Sequence, residues 1–78
     1  MKRAMGGRIH TVPTNGNWGH RVEGEQDFLS EVYDTRQEAE AMGRALAIAA
    51  ATEHIVHNQD GSIRYSQDHS GHAEPSRR

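Results

Sequence analysis

Apolar residues recur every three or four positions through residues 33–52, whereas they alternate in short runs on either side of that stretch. The first pattern predicts one amphipathic helix and the second predicts strands. The apolar stripe of the helix consists of Ala39, Met42, Gly43, Leu46, Ala49 and Ala50. The arc is widened to more than half of the circumference by Ala41, Ala45 and Ile48. We therefore expect these three residues to form a second, association surface.

The start of the helix carries two capping signals. Thr35 and Glu38 form a capping box, in which each side chain satisfies an unpaired backbone N–H group. Asp34 and Glu38 also place negative charge at the positive end of the helix dipole. The predicted helix therefore begins near Thr35.

Three strands are predicted before the helix, at residues 8–12, 18–23 and 28–33. Asn15-Gly16 separates the first two and is typical of a tight hairpin turn, since both residues tolerate a positive φ. Trp18, His20 and Val22 share one face of the second strand, and Trp18 is the best candidate for a core anchor. Both faces of the third strand carry apolar residues, so its pattern leaves the buried face open.

Two more strands are predicted after the helix, at residues 53–58 and 62–66, around the turn residues Asp60-Gly61. The predicted order is β-β-β-α-β-β. We expect an α+β fold with a small antiparallel sheet of two hairpin-connected halves and one helix packed on one face. Residues 8–66 form this single domain, residues 1–7 a disordered N-terminal lead, and residues 67–78 a flexible polar tail.

The composition argues against several classes of function. The chain has 78 residues, 33% of them hydrophobic and none of them cysteine, so we expect a thin core without disulfides or thiolate metal sites. A net charge of −2 lacks the basic excess of a non-specific nucleic-acid binder. No apolar run approaches the length of a membrane span, and the N-terminus lacks the apolar core of a signal peptide. We expect a cytoplasmic protein that does not bind membranes.

Four motifs in order resemble one known family. They are HTVP at 10–13, NGNW at 15–18, YDTRQEA at 33–39 and IVHNQDGSIR at 55–64. Their order and spacing are similar to those of the DUF2188 family of small, uncharacterised bacterial and phage-associated proteins. Thr11 departs from the His-Val-Val-Pro of that family, and its usual Ser-Tyr-Gly after the last strand is missing. The resemblance implies a compact sheet-and-helix domain and no established activity.

The six histidines suggest metal binding or acid–base chemistry. His54 and His57 are three residues apart on a predicted strand, so they point to opposite faces and cannot chelate one ion. His69 and His72 lie in the predicted tail, where ordering a metal site carries a large entropic cost. We therefore expect no metal site and no cofactor.

His10 and His20 lie on neighbouring strands of the predicted first hairpin and could face each other, which is an arrangement suited to acid–base work. The sequence contains no phosphate-binding loop and no nucleophile elbow, and a domain this small offers little volume for a substrate. We therefore expect no enzymatic activity and no catalytic residues.

The expected function is non-enzymatic binding of an unidentified protein or of a second copy. The free sheet face, a sheet edge and the wide apolar helix arc are the candidate surfaces, and the chain would serve as a phage or mobile-element accessory protein. The alternative is nucleic-acid binding by an open sheet face, which resembles the DNA-reading domains of some integrases. The candidate residues for either partner are Arg21, Arg64, Tyr65 and, if exposed, Trp18.

Two substitutions distinguish the core side of the helix from its association side. We expect Leu46→Asp to unfold the domain, because it places a charge against the sheet. We expect Ile48→Asp to weaken association and leave the fold intact. Circular dichroism and solution mass measure the two effects. An Ile48→Asp variant that is also unfolded would show that Ile48 belongs to the core.

Overall fold

The computed structural model describes residues 7–25, 29 and 31–70. Within them the chain forms four strands and one helix, which confirms the α+β class. The elements are β1 (Ile9–Thr14), β2 (Asn17–Val22), α1 (Arg36–Ala50), β3 (Glu53–His57) and β4 (Ile63–Asp68). The predicted lead at residues 1–7 lies outside the described residues except for Gly7, and so do residues 71–78 of the predicted tail.

The strands form one sheet in the order β2-β1-β3-β4. The hairpins β1–β2 and β3–β4 are antiparallel, as predicted. The two central strands, β1 and β3, are parallel, so the expectation of a wholly antiparallel sheet is wrong. The helix is the reason, because it returns the chain to the starting end of the sheet and β3 then runs in the direction of β1.

The predicted third strand at residues 28–33 is absent as a strand from its described part. Tyr33 forms only an isolated bridge with Trp18, in which each backbone N–H donates to the other's carbonyl. The Leu29 N–H donates to the carbonyl of His20. Leu29 and Tyr33 therefore contact the outer edge of β2 separately. Both faces of the predicted strand carry apolar residues, so its sequence pattern did not predict these isolated contacts.

The first hairpin turns where the sequence predicts. Asn15 and Gly16 have φ values of 49° and 87°, the two positive angles that the Asn-Gly signal requires. β1 continues two residues beyond its predicted end and includes Pro13, which pairs with Trp18. Proline is tolerated there because β3 pairs with β1 only as far as Thr11, so no neighbour on that side needs its missing N–H.

The last strand is longer than predicted. β4 continues to Asp68, and the N–H of the buried residue His69 donates to the Thr52 carbonyl at 3.1 Å. The predicted strand ended at residue 66 and the flexible tail began at 67, so the structure moves this strand end by two residues. The polar sequence concealed the extension, because backbone pairing with Glu53 requires no apolar side chain.

Both ends of α1 are capped. The Thr35 hydroxyl accepts from the Glu38 N–H at 3.2 Å, as the capping box predicts. At the other end Ala51 adopts a left-handed conformation with φ 56°, and its N–H donates to the Ile48 carbonyl. The Thr52 N–H donates to the Ala47 carbonyl, which completes a Schellman motif. The chain thereby turns directly from the helix into β3.

The side of α1 that meets the sheet carries its smallest side chains. Ala39, Gly43 and Ala47 are the buried helix residues. The predicted stripe is partly wrong, because Met42 is 42% exposed and Ala49 is exposed, whereas Ala47 is buried. A spacing of four residues between these small side chains lets the helix backbone lie close to the sheet. The larger apolar residues on either side of these positions gave a stronger periodic signal in the sequence, so the predicted stripe followed them.

Gly43 is the point of closest approach. A Cβ atom there would lie 2.5 Å from both His54 Nε2 and Thr11 Oγ1, and 3.0 Å from His20 Nε2. Ile9, Trp18 and Val56 are the buried apolar residues on the helix side of the sheet, whereas Ile55 is buried on the opposite side beside its strand partner His10. The helix therefore packs on a mixed polar and apolar surface that has no room for a methyl group at residue 43.

We expect Gly43→Ala to destabilise the domain by about 2 kcal/mol, because overpacking outweighs the gain of about 1 kcal/mol in helix propensity. Ala45→Gly is the matched control at an exposed helix position, where only propensity acts and the loss is about 1 kcal/mol. Urea unfolding with an unchanged slope measures both variants. A Gly43→Ala variant more stable than the parent would contradict the close contact.

Candidate functional site

Three polar side chains lie under Gly43 and are almost inaccessible to solvent. Thr11, His20 and His54 are 0%, 1% and 1% exposed. His20 Nε2 donates to the Ala39 carbonyl at 2.7 Å, and His54 Nε2 lies 2.7 Å from the Thr11 hydroxyl. Because buried polar groups are stable only when hydrogen-bonded, these contacts hold the helix and three strands together.

Burial also sets the charge of these histidines. The pKa of His54 is lowered to about 4, mainly by burial and to a smaller extent by repulsion from the neighbouring His20 and His69. Burial is also the main cause of the lowered pKa of His20. Both rings are therefore neutral at neutral pH. Sequence analysis placed His20 on the face of Trp18 and Val22, and that period of two was the available signal for its burial.

A second pair of histidines lies on the opposite face of the sheet. His57 Nδ1 donates to the Gly61 carbonyl at 2.9 Å, so in the neutral ring Nε2 is an acceptor. His10 Nδ1 lies 2.9 Å from that Nε2 and is therefore the donor. The predicted facing pair of His10 and His20 is wrong, because His20 is opposite Thr11 and so lies on the other side of the sheet. His54 and His57 do lie on opposite faces, as predicted.

The four residues predicted as a partner face do not converge. Trp18 is 7% exposed and belongs to the core. Arg21 is on β2 and Arg64 on β4, the two outer strands of the named sheet, which are about 14 Å apart at the usual strand spacing. Tyr65 is opposite Val56, on the side of the sheet that carries the helix.

Carboxylates occupy one end of the open face. Arg8 forms ion pairs with Glu23 at 3.3 Å and with Glu53 at 3.0 Å. Asp68 is directly opposite Glu53 on the neighbouring strand. Three carboxylates at this end of the face disfavour the binding of phosphate groups, because the one nearby arginine is already paired. The same charges disfavour the binding of a purely apolar partner. The open sheet face is thus of mixed charge.

The edge strand β4 is the most accessible regular element among the described residues. All six of its residues are exposed, including Ile63 at 62% and Tyr65 at 40%. β3 is its one neighbour in the described sheet. A β-bulge interrupts the pairing beside Ile63, between Val56 and His57 on β3. One side of the β4 backbone is consequently open.

The hydrogen-bond pattern shows which backbone groups of β4 point away from β3. His69 and Thr52 form a hydrogen-bonded position of the antiparallel ladder. Such positions alternate, so Tyr65 and Gln67 direct their N–H and C=O groups toward β3. The outward-directed backbone groups then belong to Ser66 and Asp68.

A groove of about 270 Å³ lies between α1 and β4, because the helix covers the central strands and leaves β4 beyond its flank. Its lining consists of Gln37, Glu40, Ala41, Arg44, Tyr65 and Gln67. The Tyr65 hydroxyl donates to the Glu40 carboxylate across it. The groove is polar and adjoins the free edge, so a segment that pairs with β4 would also contact its side chains.

The predicted association surface is exposed but divided. Ala41 lines the groove, whereas Ala45 and Ile48 lie on the helix away from the buried stripe. Ile48 is 36% exposed. Ala41 therefore adjoins the free strand edge, and the other two residues form a small apolar patch of their own.

Comparison with known families agrees with the motifs. The family model described as "Uncharacterized protein conserved in bacteria (DUF2188)" matches residues 9–69, which span all four strands and the helix. The chain belongs to the DUF2188 family. No curated protein and no solved structure matches the chain significantly. The family match thus establishes the domain type of this DUF2188 member.

Residues 7–25, 29 and 31–70 contain neither a side-chain group suited to a metal ion nor a helix suited to crossing a membrane. No group of three or more histidine and acidic side chains is placed to hold a metal ion there. None of the helical structure in these ranges is long and apolar enough to cross a membrane.

We expect the domain to lose stability as the pH falls from 7 to 5. The pKa of His54 is about 4 in the folded state and 6.5 without burial, so the unfolded chain binds more protons in this window. At pH 5 His54 alone accounts for an uptake of about one proton on unfolding. Stability is fully present above pH 6.5 and declines as the pH falls toward 4.

Urea unfolding at several pH values gives the proton uptake from the slope of stability against pH. His54→Gln is the matched variant, and its uptake at pH 5 should be about one proton smaller whatever its absolute stability. Stability that rises on acidification between pH 7 and 5 would contradict a neutral, buried His54.

Proposed function

We propose that this DUF2188 domain is a non-enzymatic binding module that docks an extended segment of a protein along β4. The supporting observation is the edge position of β4, whose one sheet neighbour among the described residues is β3 and whose six exposed residues direct the backbone groups of Ser66 and Asp68 away from that neighbour. A strand added there gains main-chain hydrogen bonds whatever its sequence. A role as an accessory protein of phages or mobile elements is part of the same proposal.

The composition of β4 supports docking because it lacks two residue types that commonly protect an edge. Edge strands commonly carry proline or lysine, which discourage pairing with another chain. The sequence of β4, IRYSQD, contains neither. Its protective features are the charged residues Arg64 and Asp68 and the bulge between Ile63 and Tyr65, beyond which the pairing with β3 is regular from Tyr65 to Asp68.

The groove beside α1 supplies a basis for selectivity. Alternate side chains of a docked strand point to the same side, so every second residue would enter the space between Tyr65 and Arg44. Glu40 and Arg44 offer opposite charges there, and Gln37 and Gln67 offer amides. The groove therefore favours a segment with polar side chains at those alternate positions.

The non-enzymatic part of the proposal is supported by the use of the histidines. His20, His54 and His57 each contact a group within the fold. Burial, followed by the nearby Arg21, lowers the pKa of His10, whose ring bonds to His57. The hydrogen bonds that these rings make connect parts of the fold, which supports a structural role for them.

Nucleic-acid binding is the weaker proposal. Arg21 and Arg64 lie on opposite edges of the sheet, and the nearby Arg8 is already paired with Glu23 and Glu53. A salt series with duplex and single-stranded DNA tests it, because phosphate binding weakens steeply as salt rises. Salt-dependent binding lost in Arg21→Ala would favour this function over strand docking.

Selection from a displayed library of random linear peptides tests strand docking. We expect selected peptides to slow the hydrogen exchange of the Ser66 and Asp68 amides, which face outward, because pairing protects those groups. Peptides that protect amides elsewhere, or a selection that yields no binder, would contradict the proposed function.

A pair of proline variants provides the matched control. Ser66→Pro removes an outward N–H, so it should weaken peptide binding at least tenfold and change stability by less than about 1 kcal/mol. Gln67→Pro removes an inward N–H that bonds to β3 and should cost about 2 kcal/mol of stability. Equal effects of the two substitutions on stability would show that the assigned hydrogen-bond pattern is wrong.

A further inference from the structure

We infer that the segment docked along β4 is β4 of a second copy of this chain, paired antiparallel with Ser66 opposite Ser66. This inference rests on the proposed function and names its partner. The two four-stranded sheets would then join into one continuous sheet. A two-fold axis perpendicular to that sheet would place both helices on the same face.

The backbone pattern is compatible with this register. Antiparallel strands exchange hydrogen bonds at alternate positions, and two strands pair only if outward groups meet outward groups. Centring the pair on Ser66 places its outward N–H and C=O opposite the same groups of the second copy. Each Asp68 then lies opposite Arg64 of the other strand, beside the bulge.

Charge selects this register from its alternatives. With Ser66 at the centre, Arg64 of each copy is opposite Asp68 of the other, which forms two complementary pairs at exposed positions. Sliding one strand until Arg64 faces Arg64, or until Asp68 faces Asp68, places like charges together. The edge is thus complementary to itself in one arrangement, which is the property that an interface between identical chains requires.

The groove accommodates the side chains that the second copy would bring. In this register Tyr65 is opposite Gln67 of the other copy, on the side of the sheet that carries the helix. Both residues already line the groove, and Ala41 leaves room above them. The two grooves would merge into a channel over the paired β4 strands.

Single cysteines test the register directly, because the chain contains no cysteine. In the Ser66-centred pair the two Cα atoms of residue 66 are about 5.5 Å apart, which a disulfide can span. We expect Ser66→Cys to form a covalent dimer on mild oxidation. Arg64→Cys is the matched control on the same strand, where the two Cα atoms are about 13 Å apart and no disulfide should form.

Charge reversal tests the pairing without a covalent bond. Arg64→Asp and Asp68→Arg should each weaken self-association about tenfold, since each replaces two attractive pairs with two repulsive ones. An equimolar mixture of the two variants should associate again, because all facing pairs are then complementary. Sedimentation velocity measures association, and circular dichroism confirms that each variant is folded.

The outcomes separate this inference from the proposed function. A parent protein that remains monomeric at millimolar concentration would overturn the second copy as the partner, while protection of Ser66 by a selected peptide would still support strand docking. Efficient cross-linking at residue 64 instead of 66, or a mixture that fails to associate, would overturn the register. Association with cross-linking at residue 66 and recovery in the mixture supports the inference.

Discussion

The contact between the Gly43 backbone and the sheet is the constraint on which the structure depends. A single helix must cover strands whose helix-facing side chains include Thr11, His20 and His54. It can do so because its buried residues are Ala39, Gly43 and Ala47. With larger side chains the helix would move outward, and the hydrogen bond from His20 to the Ala39 carbonyl would be lost.

The same contact places the buried histidine rings against hydrogen-bonding partners in the fold. Neutral imidazoles carry both a donor and an acceptor, so they can satisfy a carbonyl on one side and a hydroxyl on the other. Burial depresses their pKa, which keeps them neutral at neutral pH. The polar core thereby takes the structural role that larger apolar side chains have in bigger domains.

Because the helix covers only part of the sheet, β4 remains exposed to solvent. One helix reaches the three strands β1, β2 and β3 but leaves β4 beyond its flank. At the opposite edge of the sheet, Leu29 and Tyr33 form backbone hydrogen bonds with the outer edge of β2 and so cover part of it. The two edges of the sheet therefore differ in how far they are covered. The β4 edge combines backbone groups that point outward, opposite charges on the strand itself and a polar groove beside it.

Local chemistry determined the features that the sequence alone predicted. The Asn15-Gly16 turn, the Thr35 cap and the α+β class depend on neighbouring residues, so their signals are contained in short segments. The parallel junction of β1 and β3, the isolated bridge at Tyr33 and the pairing of His10 with His57 depend on residues far apart in the chain. Only tertiary structure decided them, because periodicity reports which face a side chain occupies and not which strand will lie beside it.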